Sequence, residues 1–215
     1  MSYLYFLWTI PTHFIGVVFI TFNLLGFREK LRKCISAVDS NARGIPDLYV
    51  DYLVSAEDHR SRYHQGIDHI GMLRALYKKI SGNNIQGAST IEQQFVRVVT
   101  EDYSQTITRK LREQFLSVLL SKKRSKQDIA KAYLAVAYYG YNYQGLEGIT
   151  KLVGSNLELA SEMQIISLVA RLKYPEPKND SAKWEEKIRN RVIYIQKRHE
   201  NATNKSRQRM LRTAV

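Results

Sequence analysis

Apolar residues recur at helical spacing along most of the chain, and no run with the two-residue period of a strand stands out. The first clear stripe is Ile45, Leu48, Tyr49, Tyr52, Leu53 and Ala56, with Pro46 suited to a first helical turn. Asp68 is placed to cap a helix whose apolar face is Met72, Leu73, Leu76, Tyr77 and Ile80, and Gly82 ends it. Ser81 to Gly87 reads as a polar loop. Ser89 and Glu92 have capping-box spacing, so a helix is expected there, with Ile91, Phe95, Val98 and Val99 inward. A helix from about Thr106 buries Leu111, Phe115, Val118 and Leu119, and Ser121 to Lys126 form a basic turn. Ser125 opens the next, with Ile129, Ala132, Tyr133, Val136 and Ala137 inward. Tyr138 to Gly145 is an aromatic, glycine-punctuated loop that could line a sugar cleft or simply pack a turn. A helix from about Ala160 to Leu172 turns Met163, Ile166, Val169 and Ala170 inward, and Pro175 and Pro177 close it. Trp184, Ile188, Val192, Ile193 and Ile195 predict one more helix, followed by a frayed basic tail from about His199. The fold class is therefore mainly α, without internal repeats.

The N-terminus has a different pattern. Residues Tyr3 to Leu25 carry no charged side chain, and aromatic residues lie near both ends. Such a run, at 1.5 Å per residue, is roughly 35 Å long, enough for a bilayer. No basic residue precedes it and no small-residue cleavage site follows, so an uncleaved transmembrane anchor fits better than a signal peptide. The expected organisation is an anchor over 1–27, a basic juxtamembrane connector over 28–44, a globular domain over 45–198 and a basic tail over 199–215. Arg28, Lys30, Arg32 and Lys33 follow the span. By the positive-inside rule alone they would put the body of the protein in the cytoplasm.

Composition adds one strong constraint. The formal charge of +13 on 215 residues calls for an anionic partner: nucleic acid, phospholipid head groups or a phosphorylated substrate. The single cysteine, Cys34, excludes an intramolecular disulfide.

Candidate chemistry concentrates between Ala56 and Asp68, where two adjacent acids, two histidines and two arginines interrupt the helical patterns. Glu57 falls at or just past a helix C-terminus. It reads either as a solvated helix end or as a general base near the negative end of a helix dipole. Gln93, Gln94 and Arg97 share a helix face, which suits an oxygen-rich anion or an ordinary amphipathic surface. Arg109, Lys110 and Glu113 are helical neighbours, readable as a surface salt bridge or as phosphate-binding cations beside a second carboxylate. His59, His64 and His69 are spaced by five and do not stack on one helix face, and no zinc or phosphate-loop signature is present.

Taken together, these pieces resemble the peptidoglycan glycosyltransferases: the transglycosylase module of class A penicillin-binding proteins and of monofunctional transglycosylases. The likeness covers roughly Ile45 to Pro177. One block is Glu57-Asp58 with His64, Gly66 and Asp68 at seven, nine and eleven positions after the Glu. A second is Gly87, Ala88, Ser89, Thr90, Gln93, Gln94 and Arg97. A third is Arg109, Lys110 and Glu113, and a fourth is Lys126, Ile129, Tyr133, Leu134, Tyr139 and Gly140. Four blocks in order carry far more weight than any one.

The resemblance implies a lysozyme-like helical domain that polymerises lipid II into glycan strands with inversion, releasing undecaprenyl pyrophosphate. It implies Glu57 as the general base and Glu113 as the second catalytic carboxylate, positioning the donor or a divalent cation. Asp58, His64, Ser89, Thr90, Gln93, Gln94, Arg97, Arg109 and Lys110 are implied for the substrate. No cofactor is required, although Mg2+ or Mn2+ would travel with the pyrophosphate. The implied partners are lipid II, the growing strand, membrane phospholipids and other cell-wall synthesis proteins, not nucleic acid. The implied place is the bacterial cytoplasmic membrane, single-pass, with the catalytic domain on the outer side, against the charge rule. The chain ends about where a transpeptidase domain would begin, so no penicillin binding is expected. Ser61, Glu92, Arg97, Val98, Lys131 and Ala135 depart from the usual Phe, Thr, Lys, Asn, Glu and Asn. Two alternatives follow: a lysozyme-like glycan-cleaving enzyme, or a catalytically weakened scaffold.

Overall fold

A computed structural model describes residues 2–82, 87–179 and 181–213. The chain runs α1 (Ser2–Thr21), α2 (Phe27–Asn41), α3 (Asp47–Glu57), α4 (His69–Ile80), α5 (Ile91–Thr100), α6 (Ile107–Lys123) and α7 (Lys126–Val136). It continues through strands β1 (Tyr138–Gly140) and β2 (Tyr143–Gln144) to α8 (Gly145–Val153), α9 (Glu162–Arg171) and α10 (Ala182–Thr213). The fold is mainly helical, as the periodicity predicts. It divides into two compact units, Met1–Arg43 with Arg60–Tyr133 and Gly44–His59 with Leu134–Val215.

In the first unit, α6 is the central element, with α1, α2 and α5 packed on it. Its Leu116, Val118 and Leu120 are buried, as are Ile91, Phe95 and Val96 of α5. Each such side chain contributes roughly 1.5–3 kcal/mol of burial. The expected connector is instead the helix α2. Phe27, Leu31, Cys34 and Val38 recur every three or four residues and are buried, while its charges face out. Burial pushes the Cys34 thiol up to about 12.

The expected membrane span is not found. Among the described residues, no helix is long and apolar enough to cross a membrane. Helix α1 contains Pro11 and stops at Thr21, and Asn23 and Gly26 turn the chain through left-handed conformations. One side of α1 packs on the protein: a Cβ on Gly16 would lie 2.9 Å from Leu119, and the Phe19 ring lies 4.9 Å from Phe27 and 5.7 Å from Phe115. The side bearing Ile10, Phe14 and Val17 is exposed.

Helix α4 starts as predicted, with Asp68 Oδ1 accepting from the Gly71 amide at 2.8 Å. Its apolar face, however, is not core. Leu73, Leu76, Tyr77 and Ile80 are exposed, Ile80 by 77%. Periodicity identifies an apolar face without saying what covers it. Of the loop expected from Ser81 to Gly87, residues 83–86 lie outside the described residues.

In the second unit, α3 packs on α9 and α10. Tyr49, Leu53, Ile149, Val169 and Ile195 are fully buried at its centre. Met163, expected inside, is 52% exposed. The aromatic loop is a short antiparallel hairpin, pairing Tyr138 with Gln144 and Gly140 with Tyr143. Strands of three and two residues are too short to show alternation. Gly140 also bridges to Glu176: the Tyr141 amide donates to Glu176 O at 2.8 Å and the Glu176 amide to Tyr139 O at 2.9 Å. Gly140 has φ +146, and a Cβ there would meet Glu176 N at 2.6 Å, so only glycine fits. The expected frayed tail is the end of α10, which stays helical to Thr213. His199 docks it: Nδ1 lies 3.2 Å from Ser55 Oγ, and its ring packs on Tyr52 at 4.3 Å.

Candidate active site

Glu57 belongs to the second unit. Glu57 is the last residue of α3, as its sequence position predicts. A guanidinium holds it: Arg191 Nη2, from α10, donates to Glu57 Oε1 at 2.5 Å and to the Ala56 carbonyl at 3.0 Å. Glu57 and Arg191 are 16% and 8% exposed at the side chain. The pair therefore also satisfies one of the carbonyls that a helix C-terminus leaves without an intrahelical donor. Asp58 follows, buried, in a non-helical conformation that ends α3.

In the first unit, the segment after Arg60 is fastened tightly. Arg60 donates to Asp68 Oδ2 through Nε at 2.9 Å and Nη2 at 2.6 Å. Gly66 has φ +85, and a Cβ there would sit 2.6 Å from the Ser117 carbonyl of α6. The loop can press on α6 only with glycine at this point. Its carbonyl in turn accepts from Thr90 Oγ1 at 2.8 Å and Gln93 Nε2 at 3.5 Å.

This arrangement corrects the expected helix start. Thr90, not Ser89, caps α5 by accepting from the Gln93 amide at 3.3 Å. Glu92 does not close a capping box. It is buried, and its Oε1 pairs with Lys126, whose ammonium lies 3.4 Å from His64 Nδ1. Burial alone pushes the Glu92 carboxyl up. The charges of Lys126 and His64, with hydrogen bonds from Lys126 and the backbone, outweigh it and hold the carboxyl below its ordinary range. The extra acid thus has a dedicated cation. Gln94 is held by Tyr133, whose hydroxyl donates to its Oε1 at 2.7 Å. Of the other departures, Ser61 and Ala135 are buried without a charge to place, and Val98 is half-buried.

Five predicted residues converge in the same unit. Glu113, 3% exposed, accepts from Arg97 at 3.0 Å on each of its oxygens. Arg109 Nη1 donates to Oε2 at 2.5 Å and Lys110 Nζ to Oε1 at 3.3 Å. Lys110 also donates to Ser89 Oγ at 2.9 Å. Partial burial lowers the Lys110 pKa, Glu113 opposes this, and Arg97 and Arg109 lower it further. A small crevice beside the cluster is lined by Val96, Thr100, Asp102 and Arg112 together with Arg97, Arg109 and Glu113. Three cations on one carboxylate leave an excess of two positive charges, with Lys110 36% and Arg97 28% exposed. Such an excess of positive charge can attract an anion. Both Glu113 oxygens already accept from cations, so these residues do not fit a divalent cation held by Glu113 itself.

The structure thus separates the predicted residues by use. Ser89, Arg97, Arg109, Lys110 and Glu113 form one cluster. Thr90, Gln93, Gln94 and His64 make contacts within the first unit that hold its loop and α5. Glu57 has Arg191, which sequence reading passed over. The signal was an arginine on the apolar stripe of Trp184, Ile188 and Ile195, where a solvated charge is out of place.

The model of the transglycosylase family matches residues 29–200. Penicillin-binding protein 1A of Streptococcus pneumoniae is 35% identical over 113 residues, 51% of this chain and 16% of that protein. The monofunctional glycosyltransferase of Staphylococcus aureus strain JH9 is 37% identical over 108 residues, 50% of this chain and 40% of that protein. The matched segments are thus less than half the length of these relatives. With the family model covering most of its length, the chain belongs to the peptidoglycan transglycosylase family.

Proposed function

We propose that this protein is a membrane-bound peptidoglycan glycosyltransferase with a lysozyme-like scaffold, which joins lipid II units into glycan strands. The observation that supports this most is the cationic cluster of Arg97, Arg109 and Lys110 around Glu113, with two positive charges in excess. A pyrophosphate leaving group calls for such a cluster, because negative charge builds on its oxygens as the bond to sugar breaks. A glycan hydrolase has no anionic leaving group to receive, so the same cluster disfavours the glycan-cleaving reading.

In the proposed step, the acceptor sugar 4-hydroxyl gives its proton to the Glu57 carboxylate. Its oxygen forms a bond to the donor anomeric carbon from the face opposite the leaving group. The bond from that carbon to the pyrophosphate oxygen breaks, and undecaprenyl pyrophosphate departs with the electron pair. Glu57 then passes its proton to water. Arg97, Arg109 and Lys110 take the pyrophosphate charge, and Glu113 keeps the three side chains aimed together. Any divalent cation would enter bound to the pyrophosphate.

The test is polymerisation of purified lipid II by the wild-type protein and by Glu57→Gln. Glycan strands from wild type and none from Glu57→Gln support the reading. Shortening of preformed glycan with no polymer would replace it with the hydrolase.

Membrane contact rests on two exposed apolar faces, Ile10, Phe14 and Val17 on α1 and Leu73, Leu76 and Ile80 on α4. Uncovered faces of this kind mark interaction surfaces. The +13 charge suits anionic head groups. The catalytic units then belong on the outer side of the cytoplasmic membrane, where other cell-wall synthesis proteins would be partners. The protein should float with anionic phosphatidylglycerol vesicles, and Leu76→Asp with Ile80→Asp should release it. Undiminished flotation of that double variant would remove α4 as a membrane contact.

A further inference from the structure

Granting that Glu57 is the general base, we infer that Arg191 is its positioning residue, supplied by the C-terminal helix. One nitrogen, Arg191 Nη2, donates to both Glu57 Oε1 and the carbonyl of Ala56. The carboxylate is thereby tied to the last turn of its own helix. A glutamate at a helix end otherwise has several rotamers open to it, and a base out of hydrogen-bond reach of its proton does no work.

The arginine is itself held from several directions. The Tyr194 ring lies 4.8 Å from its guanidinium carbon. One turn on, Ile195 is fully buried. A further turn on, His199 contacts Ser55 and Tyr52 of α3. Residues 191, 195 and 199 thus form one stripe of α10, and contacts at 191 and 199 fix its register against α3.

Stability alone is a poor reason for this residue. Arg191 is 8% exposed, and its Nε is buried with no acceptor among the described residues. A buried ion pair gains little over a well-packed apolar residue, and an unmet donor reduces that gain. The neighbours at 184, 188 and 195 show that this stripe otherwise takes Trp or Ile. What Arg191 adds is a fixed direction for the Glu57 carboxylate.

The test measures kcat and KM for lipid II in the full chain, with circular dichroism and thermal melting as fold checks. Arg191→Met should stay folded and lose about tenfold or more in kcat, with KM within about twofold of wild type. Arg191→Lys keeps the charge but not the fork, and should recover part of that kcat. An unchanged kcat in folded Arg191→Met overturns the inference, as does a loss confined to KM. Should Arg191→Met fail to fold, Arg191→Lys decides: reduced kcat at unchanged KM supports positioning, and wild-type kcat overturns it. Activity retained in Glu57→Gln refutes the base itself. Activity lost in Glu57→Gln but unchanged in Arg191→Met refutes Arg191 alone.

Discussion

Two carboxylates, Glu57 and Glu113, meet their cations in different arrangements. Glu57 accepts from Arg191, which also ties it to the backbone of its own helix. Glu113 has two arginines and a lysine. A guanidinium shared with the helix backbone fixes a direction, which suits a group that must accept a proton at one point. An excess of cations creates a positive field held in shape by a single acid, which suits a group that must receive and release an anion. The difference shows that a carboxylate's role is read from the arrangement and origin of its cations, not from its burial alone.

The comparison is broken most severely at Glu57. Glu57→Gln keeps the shape and removes the base, so lipid II turnover should fall about a thousandfold or more, within the usual range for a general base. A rate near wild type would leave Glu57 as a helix-end ion pair only. Glu113→Gln comes next. It removes the one negative charge that collects Arg97, Arg109 and Lys110, so the three cations repel and splay. We expect kcat/KM to fall on the order of ten- to a hundredfold, with a rise in KM for lipid II that Arg191→Met lacks. Equal kcat and KM profiles for Glu113→Gln and Arg191→Met would erase the distinction between the two sites.

A third carboxylate sharpens the contrast. Glu92 is 1% exposed and pairs with Lys126, a buried, balanced arrangement inside the scaffold. Its carboxyl lies below its ordinary range when folded. Its stabilising contribution is therefore complete above the unfolded value, about 4.3, and is lost as pH falls through the folded one. Glu92→Gln leaves Lys126 without its counter-charge. Because Lys126 is 30% exposed, the cost should be about 2 kcal/mol rather than the full penalty of a broken buried pair. Thermal melting at neutral pH would show it, and the gap to wild type should close in acid. A gap that widens as pH falls would contradict the sign of the shift.

Much of the site was legible along the chain. Arg109, Lys110 and Glu113 lie within two turns of one helix, so their meeting follows from helical spacing. Glu57 was placed at a helix end by the stripe from Ile45 to Ala56. The helix caps were legible to within one residue: Thr90 caps α5 in place of Ser89, whose hydroxyl accepts from Lys110, twenty-one positions away. Helix α2 was missed because its basic surface hid a regular stripe of Phe27, Leu31, Cys34 and Val38. The hairpin was missed because its strands, three and two residues long, are too short to show a two-residue period.

What the sequence alone determined, then, is most of the helices, their apolar faces and the residues of the cationic cluster. These are local properties, fixed by period, caps and neighbours three or four positions apart. The tertiary structure decided which faces are covered, leaving α4 and one side of α1 open while burying α2. It also decided the distant partners: Arg191 for Glu57, Lys126 for Glu92 and Tyr133 for Gln94. Those pairings join residues 134, 34 and 39 positions apart. No periodicity reaches that far, because the packing of whole helices, rather than the pitch of one, brings such side chains together.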